Sequence, residues 1–240
     1  MKTAFALLLT FALLLPIAAE AYQKDKKPWT EWTQKEAEKI LTESPWARMQ
    51  IDTDISEMFF QPHANTGPNS ARRREEGATN QPTNLKYGIR FFSARPVRQA
   101  LIRLMQLRQK DLTPDVIDRM KSFAEAQSPD SIIIAVTIEG TDQRSLGHAM
   151  QLFNSAGSQT LKNSAYLERN DGKRLFLEEY TPPGRDGFGA RFIFNRTVDN
   201  QPFLTPESKD VRFVAELARE IRLNMQFKIA DMSLDGSLEY

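Results

Sequence analysis

Apolar residues recurring at every second position govern what this chain can become. Ile221, Leu223, Met225, Phe227 and Ile229 alternate with polar residues without a break, and Leu85, Tyr87, Ile89 and Phe91 alternate against Lys86, Gly88 and Arg90. Successive side chains of a strand point to opposite faces, so this period builds strands with one buried side. Ala47, Met49, Ile51 and Ile55 read the same way against Arg48, Gln50, Asp52 and Asp54. Val211, Phe213, Ala215 and Leu217 also alternate, and although Thr205-Pro206-Glu207 could cap a helix, the period favours a strand at 211–217. Ile132-Ile133-Ile134-Ala135-Val136 is different, a continuous apolar run that suits a strand covered on both faces at the centre of a sheet. Asn170-Asp171-Gly172 tolerates the positive backbone angles of a tight turn and joins strands at 163–169 and 173–180 into a hairpin. A further strand is expected at 189–195.

Helical signals are interleaved. Thr33-Gln34-Lys35-Glu36 has the form of a capping box and opens a short helix over 34–42, with Ala37, Ile40 and Leu41 on one face. Val97, Leu101, Leu104 and Met105 mark a helix over 97–109. Thr113-Pro114-Asp115 starts another that runs to about 127, and Leu146, Ala149, Met150 and Phe153 mark a third over 143–154. The expected class is α+β, a largely antiparallel sheet or sandwich with about three inserted helices and a short N-terminal one.

Lys2, the apolar run over 4–15 and Ala19-Glu20-Ala21 form a secretory signal peptide, residues 1–21, with cleavage expected before Tyr22. The apolar run is shorter than the ~20 residues that a membrane span needs. The mature protein, 22–240, is therefore expected to be exported to the periplasm or beyond as a single domain without a transmembrane segment. Residues 61–84 lack large apolar groups and are expected to form a disordered surface loop. The chain contains no cysteine, which excludes disulfides, cysteine nucleophiles and thiolate metal sites. Lys2 and Glu20 cancel on cleavage, so the net charge of +1 persists, too small a global field to steer the protein toward nucleic acid or membrane.

Few residues suggest chemistry. Asp52 and Asp54, with Glu57 and His63 nearby, could suggest a metal, but cross-strand ion pairs with Lys86 and Arg90 account for the two acids, and no metal or cofactor is expected. His148 falls at the apolar edge of its helix and is read as a hydrogen-bonded boundary residue; as a general base it would make the chain a secreted hydrolase with a site assembled from distant residues. The glycine-rich segment 184–189 lies between two strands and reads as a hairpin tip, since phosphate cradles use a helix N-terminus. Trp29, Trp32 and Trp46 are expected to staple the N-terminal helix onto its own domain. Most unusual is 85–110, where Lys86, Arg90, Arg95, Arg98, Arg103, Arg108 and Lys110 occur with no acid. Gln99, Arg103, Gln106 and Lys110 should line the outer side of the helix. Arg98, Arg103 and Lys110 are thus the candidate binding face for an envelope component or anionic polymer.

Trp32-Thr33-Gln34-Lys35-Glu36-Ala37-Glu38-Lys39-Ile40-Leu41, ending in Ser44-Pro45-Trp46-Ala47, resembles a group of exported proteins of acidobacterial type with no assigned activity, and the resemblance returns at Ser93-Ala94-Arg95-Pro96-Val97 and over 227–232. It implies bacterial export and a single domain, and transfers no functional residue. The expected function is a non-catalytic binding or structural protein of the bacterial envelope, with the hydrolase as its rival.

Overall fold

The computed structural model describes residues 27–54, 83–109 and 111–240. The signal segment, Glu57, His63, Lys110 and nearly all of the 61–84 loop lie outside the described residues. Thr83 and Asn84, expected in that loop, begin a strand instead.

The chain is α+β, with two antiparallel sheets packed face to face. The first holds β1 (Ala47–Asp54), β2 (Thr83–Phe91), β3 (Ser131–Gly140), β6 (Glu179–Thr181) and β7 (Ala190–Asn195), in the order β1-β2-β3-β7-β6. The second holds β4 (Ala165–Arg169), β5 (Arg174–Phe176), β10 (Asp210–Leu217) and β11 (Ile221–Lys228), in the order β11-β10-β4-β5. Two small hairpins, β8 (Thr197–Val198) with β9 (Gln201–Pro202) and β12 (Ser233–Leu234) with β13 (Ser237–Leu238), complete the strands. The apolar run at 132–136 sits, as its composition demands, in the middle strand of the first sheet. Residues 211–217 are strand.

Alternation puts Tyr87, Ile89, Phe91, Ile132, Ile134 and Val136 on the inner face, where all are buried. Phe91 meets Phe227 edge-on with ring centroids 4.9 Å apart, and Phe213 meets Phe192 at 5.2 Å and Phe194 at 6.4 Å, so edge-to-face aromatic contacts join the sheets. Two expectations fail here. Residues 173–180 do not form one strand: β5 pairs with β4 in the second sheet, while β6 pairs with β7 in the first, because the chain crosses between sheets at Leu177. The faces of β1 are also reversed beyond Ala47. Ile51 is 56 % exposed, while Gln50 shares a side with Tyr87 and bridges the sheets, donating to Arg222 O at 2.8 Å and accepting from Asn224 N at 2.9 Å. An edge strand bordering a second sheet satisfies that sheet's backbone with a polar side chain that the period alone would send to solvent.

Two groups of helices pack against the first sheet. α1 (Gln34–Thr42) carries the expected capping box, with Thr33 Oγ1 accepting from Glu36 N at 3.3 Å and Thr33 N donating to Glu36 Oε2 at 2.6 Å. The bond from Thr33 N, with one from Lys27 Nζ at 3.1 Å, lowers the Glu36 carboxyl pKa to about 2. α1 packs against α2 (Arg95–Arg108), which packs against α3 (Pro114–Glu125). In the second group, α4 (Gln143–Ser155) and α5 (Ser158–Leu161) cover Tyr87, whose ring stacks on Phe153 at 6.3 Å, and the Tyr180 hydroxyl donates to Phe153 O at 2.7 Å. Burial pushes the Tyr87 phenol up to about 12 and raises that of Tyr180 further.

Candidate functional site

The basic stretch of 85–110 divides into arginines built into the fold and cations that face solvent. Arg98, placed by sequence on the binding face, is 3 % exposed. Its guanidinium donates to Phe92 O at 3.3 Å, Phe123 O at 3.2 Å, and to Ser93 O and Ala126 O, so it satisfies carbonyls at the C-terminal end of α3 that have no helical partner. Gln99, expected on the outer side of the helix, is likewise buried. Arg90 follows the same rule at α1: Nε donates to Leu41 O at 2.7 Å and Nη1 to Thr137 Oγ1 at 2.8 Å. Burial lowers the proton affinity of both guanidiniums, yet an arginine stays charged. The Glu239 carboxylate takes Arg95, at 3.1 Å from Nε and 2.9 Å from the backbone N–H.

Arg103 is half-buried and keeps its charge on the surface. Nε donates to Trp32 O at 2.7 Å, which orients the side chain toward a cleft of about 300 Å³ between α2, α3 and the 3₁₀ turn Trp29–Glu31. Gln106, one turn along α2, and Gln109, just past its end, line the same cleft, and α3 contributes Ile117 and Lys121, spaced i and i+4 on one face. Thr30 and Leu112 complete the wall, so among the described residues the lining holds two cations, three neutral polar groups and no carboxylate. The nearby Glu125 carboxylate is bonded to Trp29 Nε1 and, at 3.2 Å, to Gln99 Nε2. Sequence reasoning found Arg103 and Gln106 and missed Lys121, whose i, i+4 relation to Ile117 was the available signal. Lys110 directly follows Gln109 but lies outside the described residues.

The remaining sequence candidates do not converge. Asp52 is directly opposite Leu85, and Lys86 is opposite Ile51, so the acid and the base project from opposite faces and the expected ion pair does not form. Asp52 Oδ1 instead accepts from Gln50 Nε2 at 3.1 Å. His148 Nε2 lies 2.7 Å from Glu220 Oε2, with both side chains more than half exposed, and among the described residues no hydroxyl bonds to the imidazole. The glycine-rich segment is pinned as a turn: Asp186 accepts from Phe188 N at 3.0 Å and pairs with Arg191 at 2.6 Å, while Phe188 packs between Phe92 and Phe123. Trp46 staples as expected, its Nε1 donating to Glu239 O at 2.7 Å.

The chain matches no family model, and no curated protein or solved structure is significantly similar to it.

Proposed function

We propose that this chain is an exported, non-catalytic binding protein of the bacterial envelope, whose helical cleft takes the phosphate or carboxylate groups of an anionic envelope polymer or lipid surface. The observation that carries this reading is the cleft lining itself, in which Arg103 and Lys121 face the same space and, among the described residues, no carboxylate lines it. Among the described residues neither cation forms an ion pair, so the charges that would meet an anion are not already neutralised. A guanidinium whose Nε is tied to Trp32 O still offers its two terminal nitrogens in the fork that matches an oxyanion. Gln106, Gln109 and Thr30 supply neutral donors beside them. The hydrolase reading has weaker support, because its base would be His148, which is exposed, bonds to Glu220 and does not line the cleft.

Binding of the purified protein to vesicles containing an anionic lipid, compared with neutral vesicles and with soluble polyphosphate, tests the proposal. Affinity should fall with rising salt, since exposed charges are screened beyond ~8 Å at physiological ionic strength. Lys121→Gln should weaken binding about tenfold without changing the melting temperature, as expected for removing one charge-assisted contact. Arg103→Lys, which retains the charge, should bind better than Arg103→Gln. Equal binding by the wild type and by the Arg103→Gln, Lys121→Gln double variant would overturn the reading.

A further inference from the structure

The outward face of the second sheet is built differently from the basic cleft and points to a different ligand. Register places Gln226, Arg212, Glu168 and Arg174 in one row across the sheet, and Asn224, Val214, Tyr166 and Phe176 in the next. Phe176 is 47 % exposed, although it sits within a strand, and its ring lies 5.8 Å from that of Tyr166. Arg174 stacks its guanidinium 4.6 Å from the Tyr166 centroid and pairs with Glu168 at 2.6 Å, so one side of the Tyr166 ring is covered, and the Phe176 ring stands beside it, tilted by 58° and half exposed. Adjoining this platform is a shallow groove of about 260 Å³, lined by Glu168, Asn170, Asp210, Arg212 and Gln226 among others.

We propose that this face binds a neutral polysaccharide chain. An exposed aromatic ring offers its flat surface to the apolar C–H side of a sugar ring, and contributes most when the contact excludes water. Planar amides, carboxylates and guanidiniums offer donors and acceptors in pairs, as the hydroxyls of a sugar require, because each hydroxyl both donates and accepts. The charges argue against an ionic ligand. The groove holds Glu168 and Asp210 against Arg169 and Arg212, a balanced set, and Arg169 is further engaged with Asp171. A face that attracts neither sign but is rich in paired hydrogen-bonding groups complements an uncharged polyol. The inference is independent of the cleft, which is lined by cations alone among its charged groups.

Affinity electrophoresis of the purified protein in native gels containing a soluble neutral glucan, mannan, galactan or xylan tests it. At least one polysaccharide should retard the wild type. Phe176→Ala should reduce that retardation tenfold or more, and Gln226→Ala, a change at an exposed position, should reduce it in the same gel with unaltered circular dichroism. Lys121→Gln should leave it unchanged, which separates this face from the cleft. Absence of retardation in all four gels, or retardation insensitive to Phe176→Ala, would overturn the proposal. So would a concentration-dependent dimer that Phe176→Ala abolishes in a protein no gel retards, since a second copy would then own the face.

Discussion

The helix-covered side of the first sheet and the bare side of the second both carry arginines, and they spend them in opposite ways. Arg90 and Arg98 are buried against the C-terminal carbonyls of α1 and α3, whereas Arg174 and Arg212 stand on an outward face among side chains. A helix leaves its last carbonyls without intrahelical partners, and where such an end is buried they must find donors. A guanidinium carries five donors and can serve several carbonyls at once. The lesson is that helices packed together turn nearby arginines into scaffolding. In a chain without cysteine, these bonds tie together segments as distant in sequence as Leu41 and Arg90.

The largest effect should come from removing the best-connected of these donors. Arg98→Ala leaves several buried carbonyls unsatisfied and should cost ~3 kcal/mol or more of unfolding free energy. Arg174→Ala, on the bare side, should cost no more than ~0.5 kcal/mol, because its partner Glu168 can return to water. Urea denaturation of the two variants measures both. Similar losses would dissolve the distinction between the two sides.

A smaller effect is expected where the first sheet makes room for its buried cation. A methyl group at Gly88 would lie 2.5 Å from Arg90 Nη2 and 2.7 Å from Thr137 Oγ1, both members of the same hydrogen-bonded set. Gly88→Ala should therefore destabilise the fold by ~1 to 2 kcal/mol, the usual cost of overpacking. The paired variant Gly88→Ala, Arg90→Met should lose less than the sum of the two single changes, since the clash disappears with the guanidinium. Strict additivity would show that Arg90 does not occupy that space.

What the sequence revealed, and what it withheld, follows the same division. Strands and helices are local, so the period at Ile221 to Phe227, the capping box at Thr33 and the apolar run at 132–136 each identified an element correctly. Which face of a strand meets the core is not local. β1 runs along the edge shared with the second sheet, and Gln50 is drawn inward by the backbone of β11, a partner some 170 residues away that no window along β1 contains. The break of 173–180 into two strands has the same origin, since the signal for changing sheets lies in the pairing partners. For the cleft, Arg103 was legible from helical spacing, while Arg98 was misplaced because the need it fills belongs to α3, which the helix of Arg98 does not contain. Lys121 became part of the cleft only once α2 and α3 were laid side by side.

The smallest expected effect tests register alone. Were Asp52 and Lys86 cross-strand neighbours, a double-mutant cycle would show a coupling of ~0.2 to 1 kcal/mol. Because Asp52 faces Leu85 and Lys86 faces Ile51, Asp52→Asn and Lys86→Gln should combine additively, with a coupling near zero. A second measurement distinguishes this outcome from an ion pair too solvated to detect. Asp52 lies on the Tyr87 side of β1 and, after burial, is the second cause of the raised Tyr87 phenol. A neighbouring negative charge opposes ionisation to phenolate, so Asp52→Asn should lower the Tyr87 pKa from about 12, while Lys86→Gln, on the opposite face, should leave it in place. Ultraviolet titration of the two variants reads the difference. A Tyr87 pKa unmoved by Asp52→Asn, together with a measurable coupling between Asp52 and Lys86, would mean that β1 pairs one residue out of the register described, which would send Gln50 to solvent and sever the bridge between the sheets.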